Sequence, residues 1–255
     1  MDDHFQRVEL KITIDEFHRL PRNPAYKFEY FDGHAVLTPR PKSFTCVLDL
    51  PATSLPEPVW PVEVRPLPLT SAEQLGKLYS WSVRSTQPFA SLSDDDASAA
   101  AQECFTKTLT GGDGPVIGRA CFQAISPRDG HTIGGLLVTL VPSNILTNPF
   151  ATNWQSDPPT DAIARHLGCP HLTWVFVHPW EGRHGYATAM LAAATAELLA
   201  LGFRHLASTF QMENAPSALW HWRNGFRLLP QYSALAKRMQ QERAEDAAAK
   251  SAATE

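Results

Sequence analysis

The chain has 255 residues, a length that predicts one domain or two. Hydrophobic residues make up 44% and charged residues 19%, which excludes collagen, a long coiled coil and a wholly disordered chain. The formal net charge of −4 gives no positive field for nucleic-acid binding, so no nucleic-acid partner is expected. The four cysteines form no CxxC pair, which predicts reduced thiols and no zinc ribbon.

No stretch of about 20 apolar residues is present, so no membrane-spanning helix is expected. The segment Met1–Arg7 is polar and acidic, which differs from the pattern of a signal peptide. We therefore predict a cytoplasmic protein without a membrane partner. No metal site is expected, because the run Asp94–Asp96 is typical of a solvated helix start.

The first 58 residues are predicted to form an N-terminal extension rich in β-structure. Thr13 and Glu16 have the spacing of a capping box, which predicts a short helix over 13–20. Residues 26–31 alternate aromatic and charged side chains, a pattern typical of a strand. The dipeptide Asp32-Gly33 follows and favours a tight turn, so a hairpin is expected there.

A further strand is predicted at 44–50, and the proline-rich run 51–61 is interpreted as a stiff linker. Three roles stay open for the 1–58 extension. It could add β-structure to the rest of the protein, cover a substrate cleft, or hold two copies together as a homodimer.

Residues 59–234 are predicted to form one domain, and residues 235–255 a flexible or helical tail. Strands are expected at 62–65, 116–125, 132–141, 171–177 and 205–210, and helices at 71–85 and 186–201. The segment 142–170 carries five prolines and is predicted to be a long loop with a short helix near 161–167.

The segment around the last long helix has the clearest chemical pattern. The strand 171–177 is followed by a polar loop and then by a helix that begins at Tyr186. The first turn of a helix has unpaired backbone N–H groups and a partial positive charge, which favours a bound pyrophosphate. Gly185 would let a phosphate approach the backbone, and Arg183 and His184 would add positive charge.

The loop sequence Gly182-Arg-His-Gly185-Tyr-Ala187 resembles the Gln/Arg-x-x-Gly-x-Gly/Ala loop of the GCN5-related N-acetyltransferase (GNAT) superfamily. Gly185 and Ala187 match that pattern, whereas Gly182 stands where Gln or Arg is usual. A second stretch, Asn214 to Gly225-Phe226, resembles the family's segment of Asn, helix, aromatic residues and Gly-Phe. The resemblance is strong over 116–232 and does not extend to 1–58.

This resemblance implies an α/β (α+β) GNAT fold, a mixed central sheet flanked by helices. It also implies that acetyl-CoA, the cosubstrate, binds in a V-shaped opening between two parallel strands. Family members use backbone groups of one strand for the pantetheine arm and the loop for the pyrophosphate. The CoA-binding residues implied in this way are Val175, Phe176, Val177, Gly182, Arg183, His184, Gly185, Tyr186, Ala187, Thr188 and Asn214.

Two catalytic positions follow from the same resemblance. Many family members have a tyrosine general acid at the position of His221, and an imidazole can also donate a proton near neutral pH. His221 is equally well interpreted as a packing residue. For the general base, Glu213 is predicted, with Glu181 and His171 as alternatives.

The sequence therefore predicts an N-acetyltransferase that moves an acetyl group from acetyl-CoA to a primary amine of a small molecule or peptide. The amine would attack the thioester directly in a ternary complex. The alternative is a non-catalytic acyl-CoA-binding or protein-interaction module on a degenerate GNAT scaffold. Gly182 and the absence of the tyrosine acid favour that alternative.

Overall fold

The computed structural model describes residues 8–21, 26–39, 43–52, 55–57, 61–69, 72–86, 89–147, 153–211 and 214–230. The helices are α1 Ile14–Arg19, α2 Ala72–Val83, α3 Asp94–Leu109, α4 Tyr186–Ala200 and α5 Ala215–Arg223. The strands are β1 Val8–Lys11, β2 Tyr26–Phe31, β3 His34–Pro39, β4 Ser43–Asp49, β5 Glu63–Pro66, β6 Phe122–Ile125, β7 Thr132–Pro142, β8 Gly168–Val177, β9 His205–Gln211 and β10 Arg227–Leu228.

A seven-stranded sheet with strand order β10-β4-β9-β8-β7-β6-β5 forms the centre of the protein. Its neighbouring strands are antiparallel except for β8 and β9, which run parallel and are joined by α4. Helix α4 packs on one face of the sheet, and α2, which also packs against α3, covers the other face. The predicted mixed α/β architecture, a central sheet flanked by helices, is confirmed.

Two hydrophobic clusters hold these layers together. On the α4 face, Met190, Leu191 and Leu198 are fully buried against apolar side chains of β7 and β8. On the other face, Tyr79 of α2 and Phe105 of α3 pack with residues of β8. Burying apolar side chains from water is the main stabilising contribution to such an arrangement.

A smaller three-stranded sheet has the order β1-β3-β2 and lies at the N-terminal end of the chain. The predicted capping box at α1 is present, with the Thr13 N–H donating to Glu16 Oε2 at 2.7 Å. The predicted hairpin turn is also present, because Asp32 and Gly33 both have positive φ angles, 46° and 78°. Glycine and short polar residues such as aspartate adopt this left-handed backbone conformation more readily than other residues do.

The predicted 1–58 extension does not correspond to one structural unit. The strand predicted at 44–50 is present as β4, but it pairs along its length with β9 in the seven-stranded sheet. The apolar run Cys46–Leu48 is buried there. The proline-rich run therefore follows a strand of the central sheet and does not separate the two sheets.

Two further predictions differ from the structure. The strand predicted at 116–125 is confined to β6, because a 3₁₀ turn at Gly118–Ala120 interrupts it. The helix expected near 161–167 is a series of turns, in which His166 has a left-handed φ of 53° that ends any helical path. The predicted tail 235–255 lies outside the described residues.

Within the part of the chain that the structure describes, no helix is both long and apolar enough to cross a membrane. The same residues contain no cluster of three or more His, Cys, Asp or Glu side chains that could hold a metal ion.

Candidate active site

The strands β8 and β9 separate soon after they pair. Their parallel pairing consists of two residue pairs, His171 with Ala207 and Leu172 with Ser208. Directly after them, the register of β8 against β7 shifts, so that one extra residue, Thr173, is inserted in β8. A β-bulge bends its strand, and β8 consequently diverges from β9 beyond Leu172.

The diverging part of β8 has one open edge. Residues Trp174–Val177 pair with β7 on one side, whereas no described strand pairs with them on the side of β9. The predicted cofactor-contact residues Val175, Phe176 and Val177 lie on this segment. Its backbone N–H and C=O groups can accept an extended ligand as an added strand.

The loop between β8 and α4 has alternating backbone handedness. Gly182 has a φ of −66°, and Arg183 and Gly185 have positive φ angles of 69° and 89°. His184, between them, is not among the positive-φ residues. When φ alternates in sign in this way, successive N–H groups turn towards the same side and form an anion-binding concavity, called a nest. We call residues 182–186 the nest.

The nest coincides with the first turn of α4. Gly185 is the N-cap residue, and its C=O accepts the first helical bond, from the Ala189 N–H at 2.9 Å. No side chain caps this helix start. The first N–H groups of a helix have no partner inside the helix, and the dipole adds partial positive charge there. An anion in the nest would satisfy these groups.

The charges around the nest are mixed. Arg183 is exposed, while the Nδ1 atom of His184 lies 3.6 Å from Oε2 of Glu181. Burial and the nearby Glu181 carboxylate raise the pKa of Tyr186, and the Arg128 guanidinium opposes them. Arg128 thus acts electrostatically on the start of α4. Sequence reasoning missed it, because it belongs to the β6–β7 turn and carries no motif.

The backbone conformation at position 182 does not require a glycine. Its φ of −66° and ψ of 155° are ordinary for any residue. An added Cβ atom would lie 3.4 Å from the Pro179 carbonyl oxygen, an ordinary contact distance. The departure from the expected Gln or Arg therefore has no conformational cause.

The predicted contact residues on α4 and α5 also have internal roles. Thr188 Oγ1 accepts a hydrogen bond from Trp220 Nε1 at 3.2 Å, which joins α4 to α5. Ala187 is half-buried next to it. Asn214 is the N-cap of α5, where its Oδ1 atom accepts from the Ser217 N–H at 3.1 Å.

His221 lies in the core beside the point where the strands separate. Its Nε2 atom is 2.8 Å from Ser208 Oγ, and its Nδ1 atom is 2.8 Å from the Ser217 carbonyl oxygen. The ring stacks on Phe210, with 4.9 Å between the ring centres. Burial lowers the pKa of His221 to about 4, against a weaker opposing effect of the Ser217 carbonyl. The ring is therefore neutral at pH 7 and donates its proton to Ser217.

His171 lies on the opposite face of the sheet at the same level. Its two ring nitrogens are each 3.1 Å from a threonine hydroxyl, Nδ1 from Thr173 and Nε2 from Thr209. Thr173 is in turn 2.8 Å from the hydroxyl of Thr139. These four side chains form a hydrogen-bonded row across β7, β8 and β9. Burial lowers the pKa of His171 to about 4, although Asp113 opposes the shift.

The candidates for the general base have different positions. Glu213 lies outside the described residues. Glu181 belongs to the short turn Pro179–Glu181 before the nest and faces His184. His171 lies where β8 and β9 separate. Sequence reasoning named His171 but missed its threonine partners, because the strand register that brings them together is not encoded in a local pattern.

Comparison with known proteins agrees with this arrangement. The model of the acetyltransferase (GNAT) family matches residues 73–226, which include all but the first residue of α2, α3 to α5, the separating strands and the nest. No curated protein matches the chain significantly.

Three solved structures illustrate the similarity. The PaiA N-acetyltransferase from Thermoplasma acidophilum, in complex with coenzyme A, is 14% identical, with 69% of this chain and 94% of that chain covered and a TM-score of 0.48. A GCN5-related N-acetyltransferase from Ralstonia eutropha is 14% identical, with 68% and 97% covered and a TM-score of 0.44. A GCN5-related N-acetyltransferase from Sphaerobacter thermophilus is 14% identical, with 73% of this chain and 48% of that chain covered and a TM-score of 0.45. The match therefore spans about half of that chain.

The family match covers more than half of the chain and contains both sequence stretches on which the resemblance was based. It also agrees with the parallel pairing of β8 and β9 and with the nest at the start of α4. On this evidence, the chain belongs to the acetyltransferase (GNAT) family.

Proposed function

We propose that the protein transfers an acetyl group from acetyl-CoA to a primary amine of a small molecule or peptide. The observation that carries the proposal is the continuity of two binding surfaces. The open edge of β8 at Trp174–Val177 leads directly into the nest at 182–186. An amide-bearing arm and a pyrophosphate, joined in one ligand as they are in CoA, match these two surfaces.

In this proposal the pyrophosphate binds the nest and the start of α4. Arg183 and Arg128 supply positive charge, and the missing Gln or Arg at position 182 is partly compensated by them. The pantetheine amides bind the backbone of Val175, Phe176 and Val177. The thioester then lies near the point where β8 and β9 separate, between His171 on one face and His221 on the other.

The reaction needs no covalent enzyme intermediate. The neutral amine attacks the thioester carbon, a C–N bond forms, and the C–S bond breaks to release the CoA thiolate. The amine nitrogen loses a proton, and the thiolate gains one. We propose that His171, with its Thr173 and Thr209 partners, accepts the amine proton. It is neutral at pH 7, so one ring nitrogen carries no proton and can accept one by giving up its hydrogen bond from a threonine hydroxyl.

The general-acid role of His221 stays a prediction. In the described geometry the neutral ring holds its proton on Nδ1, and its Nε2 atom faces Ser208, so Nε2 would pass a proton through the Ser208 hydroxyl only when the ring is doubly protonated. The hydroxyl of Ser208 also lies 3.2 Å from the Leu172 carbonyl oxygen, at the separation point of the strands. Glu213 stays an alternative base.

The second candidate function is a non-catalytic acyl-CoA-binding module. Gly182 favours it, because the side chain that usually assists pyrophosphate binding is missing. The pKa of about 4 for both histidines also favours it, since each is a weak proton acceptor at neutral pH. Both candidates require acetyl-CoA binding, and only the first requires turnover.

Calorimetric titration with acetyl-CoA tests the shared requirement. Gly185→Ala forces a side chain into the left-handed conformation at the nest and should weaken binding at least tenfold. Gly33→Ala is the matched control, because Gly33 has a φ of 78° in the remote hairpin and open space around it. Equal affinity in both variants would contradict the proposed site.

Release of free CoA thiol in the presence of a panel of primary amines then separates the two functions. Amine-dependent release would support the transferase. Tight acetyl-CoA binding without release for any amine would favour the binding module.

A further inference from the structure

The described tryptophans fall into two groups. Trp154, Trp174 and Trp220 are half-buried, and each donates its indole N–H to a protein oxygen. Trp81, Trp180 and Trp222 are exposed, with 54%, 88% and 73% of their surface accessible. Single exposed apolar residues are common on proteins, so exposure alone assigns no role to them. The position of Trp180 does set it apart.

Trp180 lies in the turn Pro179–Glu181, immediately before the nest. Its backbone N–H donates to Nδ1 of His178 at 3.3 Å. The His178 ring also contacts the Trp180 ring edge-to-face at 5.3 Å, and it contacts Trp81 at the end of α2 in the same way at 5.5 Å. The Trp180 backbone and one part of its ring thus contact His178, while most of the residue's surface remains accessible to solvent.

The direction of the ligand follows from the proposed function, on which this inference rests. A pyrophosphate in the nest has the pantetheine arm on one side, running inward along β8. The nucleoside, which is joined to the other side of the pyrophosphate, must therefore extend outward across the surface of the loop. Trp180 projects from that loop, two positions before Gly182, the first residue of the nest.

We infer that Trp180 is a stacking platform for the adenine base of acyl-CoA. A planar purine can stack on an exposed face of the indole ring, and stacking excludes water from both rings. One base–aromatic stack typically changes affinity by about 5- to 150-fold. A partner protein covering Trp180 is the competing occupant, and the experiment below distinguishes it.

The test compares two ligands, of which only acetyl-CoA carries the base. S-acetyl-4′-phosphopantetheine lacks the adenosine, its 3′-phosphate and one of the two pyrophosphate phosphates, so the contribution of the base is measured as the effect of changing Trp180 on each ligand. Both are titrated by calorimetry into the unaltered protein and into the Trp180→Ala, Trp180→Phe and Trp222→Ala variants. Trp222 is the matched control. It is exposed on α5, and it lies two positions, or about 200° around the helix, from Trp220, which contacts α4.

The unaltered protein should bind acetyl-CoA about tenfold or more tightly than the truncated ligand. Trp180→Ala should weaken acetyl-CoA binding about 5-fold or more without changing the affinity for the truncated ligand. Trp180→Phe and Trp222→Ala should keep the acetyl-CoA affinity of the unaltered protein. An exposed side chain makes few packing contacts, so the variants are expected to fold, and circular dichroism checks this.

Three results would overturn the inference. The first is equal affinity of the unaltered protein for both ligands, which leaves the proposed function standing. The second is an acetyl-CoA affinity that is unchanged in Trp180→Ala, which would assign the exposed ring to another occupant such as a protein. The third is binding of neither ligand, in which case the proposed function fails as well.

Discussion

The side chain missing at position 182 can be restored. Because Gly182 has ordinary backbone angles and an added Cβ would make only one contact, at 3.4 Å, Gly182→Arg should fold normally and place a cation beside the nest. We expect acetyl-CoA to bind several-fold more tightly, since charge-assisted hydrogen bonds to phosphate are among the stronger ones. Calorimetry measures the change, and Gly182→Ala should leave affinity as it is. Equal affinity in Gly182→Arg would contradict a phosphate next to this residue.

His171 can be tested separately from binding. His171→Asn keeps a polar side chain between the two threonines but removes the proton acceptor. We expect kcat with a primary amine to fall about 100-fold while the affinity for acetyl-CoA stays within twofold. Steady-state kinetics over pH 6 to 9 and calorimetry provide the two readouts. A parallel loss of binding would instead indicate a structural role.

The pKa values of His171 and His221 predict how the stability of the protein depends on pH. Both have a folded-state pKa of about 4, below the ordinary value of 6.5. Between these values the unfolded chain binds protons that the folded chain does not. The free energy of unfolding should therefore fall as the pH drops from 6.5 to 4, by about 3 kcal/mol per histidine.

Guanidinium unfolding at pH 7 and pH 4.5 checks this dependence. His221→Asn should reduce the difference between the two pH values, whatever its effect on stability at pH 7. An unchanged difference in this variant would show that His221 does not control the acid sensitivity.

At this scale, the sequence predicted what is local in the chain. The nest is set by neighbouring residues, so a loop with Gly185 between a strand and a helix, together with the resemblance of Gly182–Ala187 to the family's loop, indicated its place. The contacts of His171 with Thr209 and of His221 with Ser208 depend on how β9 aligns with its neighbours. A pattern within one strand does not encode that alignment.

Strand β7 is shaped by two adjacent glycines. A Cβ atom at Gly135 would lie 2.6 Å from Cζ of Phe176 in β8, and one at Gly134 would lie 2.8 Å from the Phe176 carbonyl oxygen. Glycine inside a strand often marks a close approach of this kind. Gly135 lets the Phe176 ring lie over β7, where it packs against Tyr79 and Phe105.

Gly135→Ala should therefore lower the free energy of unfolding by about 1–3 kcal/mol, because the Phe176 ring has no room to move. Gly118→Ala is the matched control, since the nearest atom to its added Cβ is Leu69 Cδ1 at an ordinary 3.5 Å. Chemical denaturation measures both. Adding Phe176→Leu to Gly135→Ala should recover part of the loss, and a loss that persists would assign it to the backbone instead.

Among the elements, those with local start and stop signals were predicted well. The Thr13–Glu16 capping box fixes α1, and Asp32-Gly33 fixes the hairpin. The strand expected at 116–125 is shorter in the structure, where a 3₁₀ turn at 118–120 leads into β6. The sequence contains no local signal for this turn. Tertiary packing decides between such alternatives.

For the whole molecule, the position of β4 predicts where the chain can be cut. A fragment beginning at residue 43 keeps all seven strands of the central sheet and should still bind acetyl-CoA. A fragment beginning at residue 59 lacks β4, which leaves β10 without its partner and the edge of β9 open. We expect this second fragment to aggregate.

Size-exclusion chromatography and acetyl-CoA titration of the two fragments check this prediction. A monomeric, ligand-binding fragment from residue 59 would show that β4 is dispensable. The smaller sheet pairs only within itself among the described strands, so its loss should be tolerated. The predicted homodimer can be examined in the same chromatography, by comparing the full chain with the fragment from residue 43.

The pairing of β4 with β9 also has a consequence during synthesis. Cys46 and Ser208 are in contact on neighbouring strands although 162 residues separate them in the chain. At about 5–20 residues per second, a ribosome needs roughly 10–30 s to make the chain between them. Throughout that interval, β4 has been made but lacks the neighbour with which it pairs. The cleft between β8 and β9 is therefore completed late, when β9 enters between a strand made early and a strand made just before it.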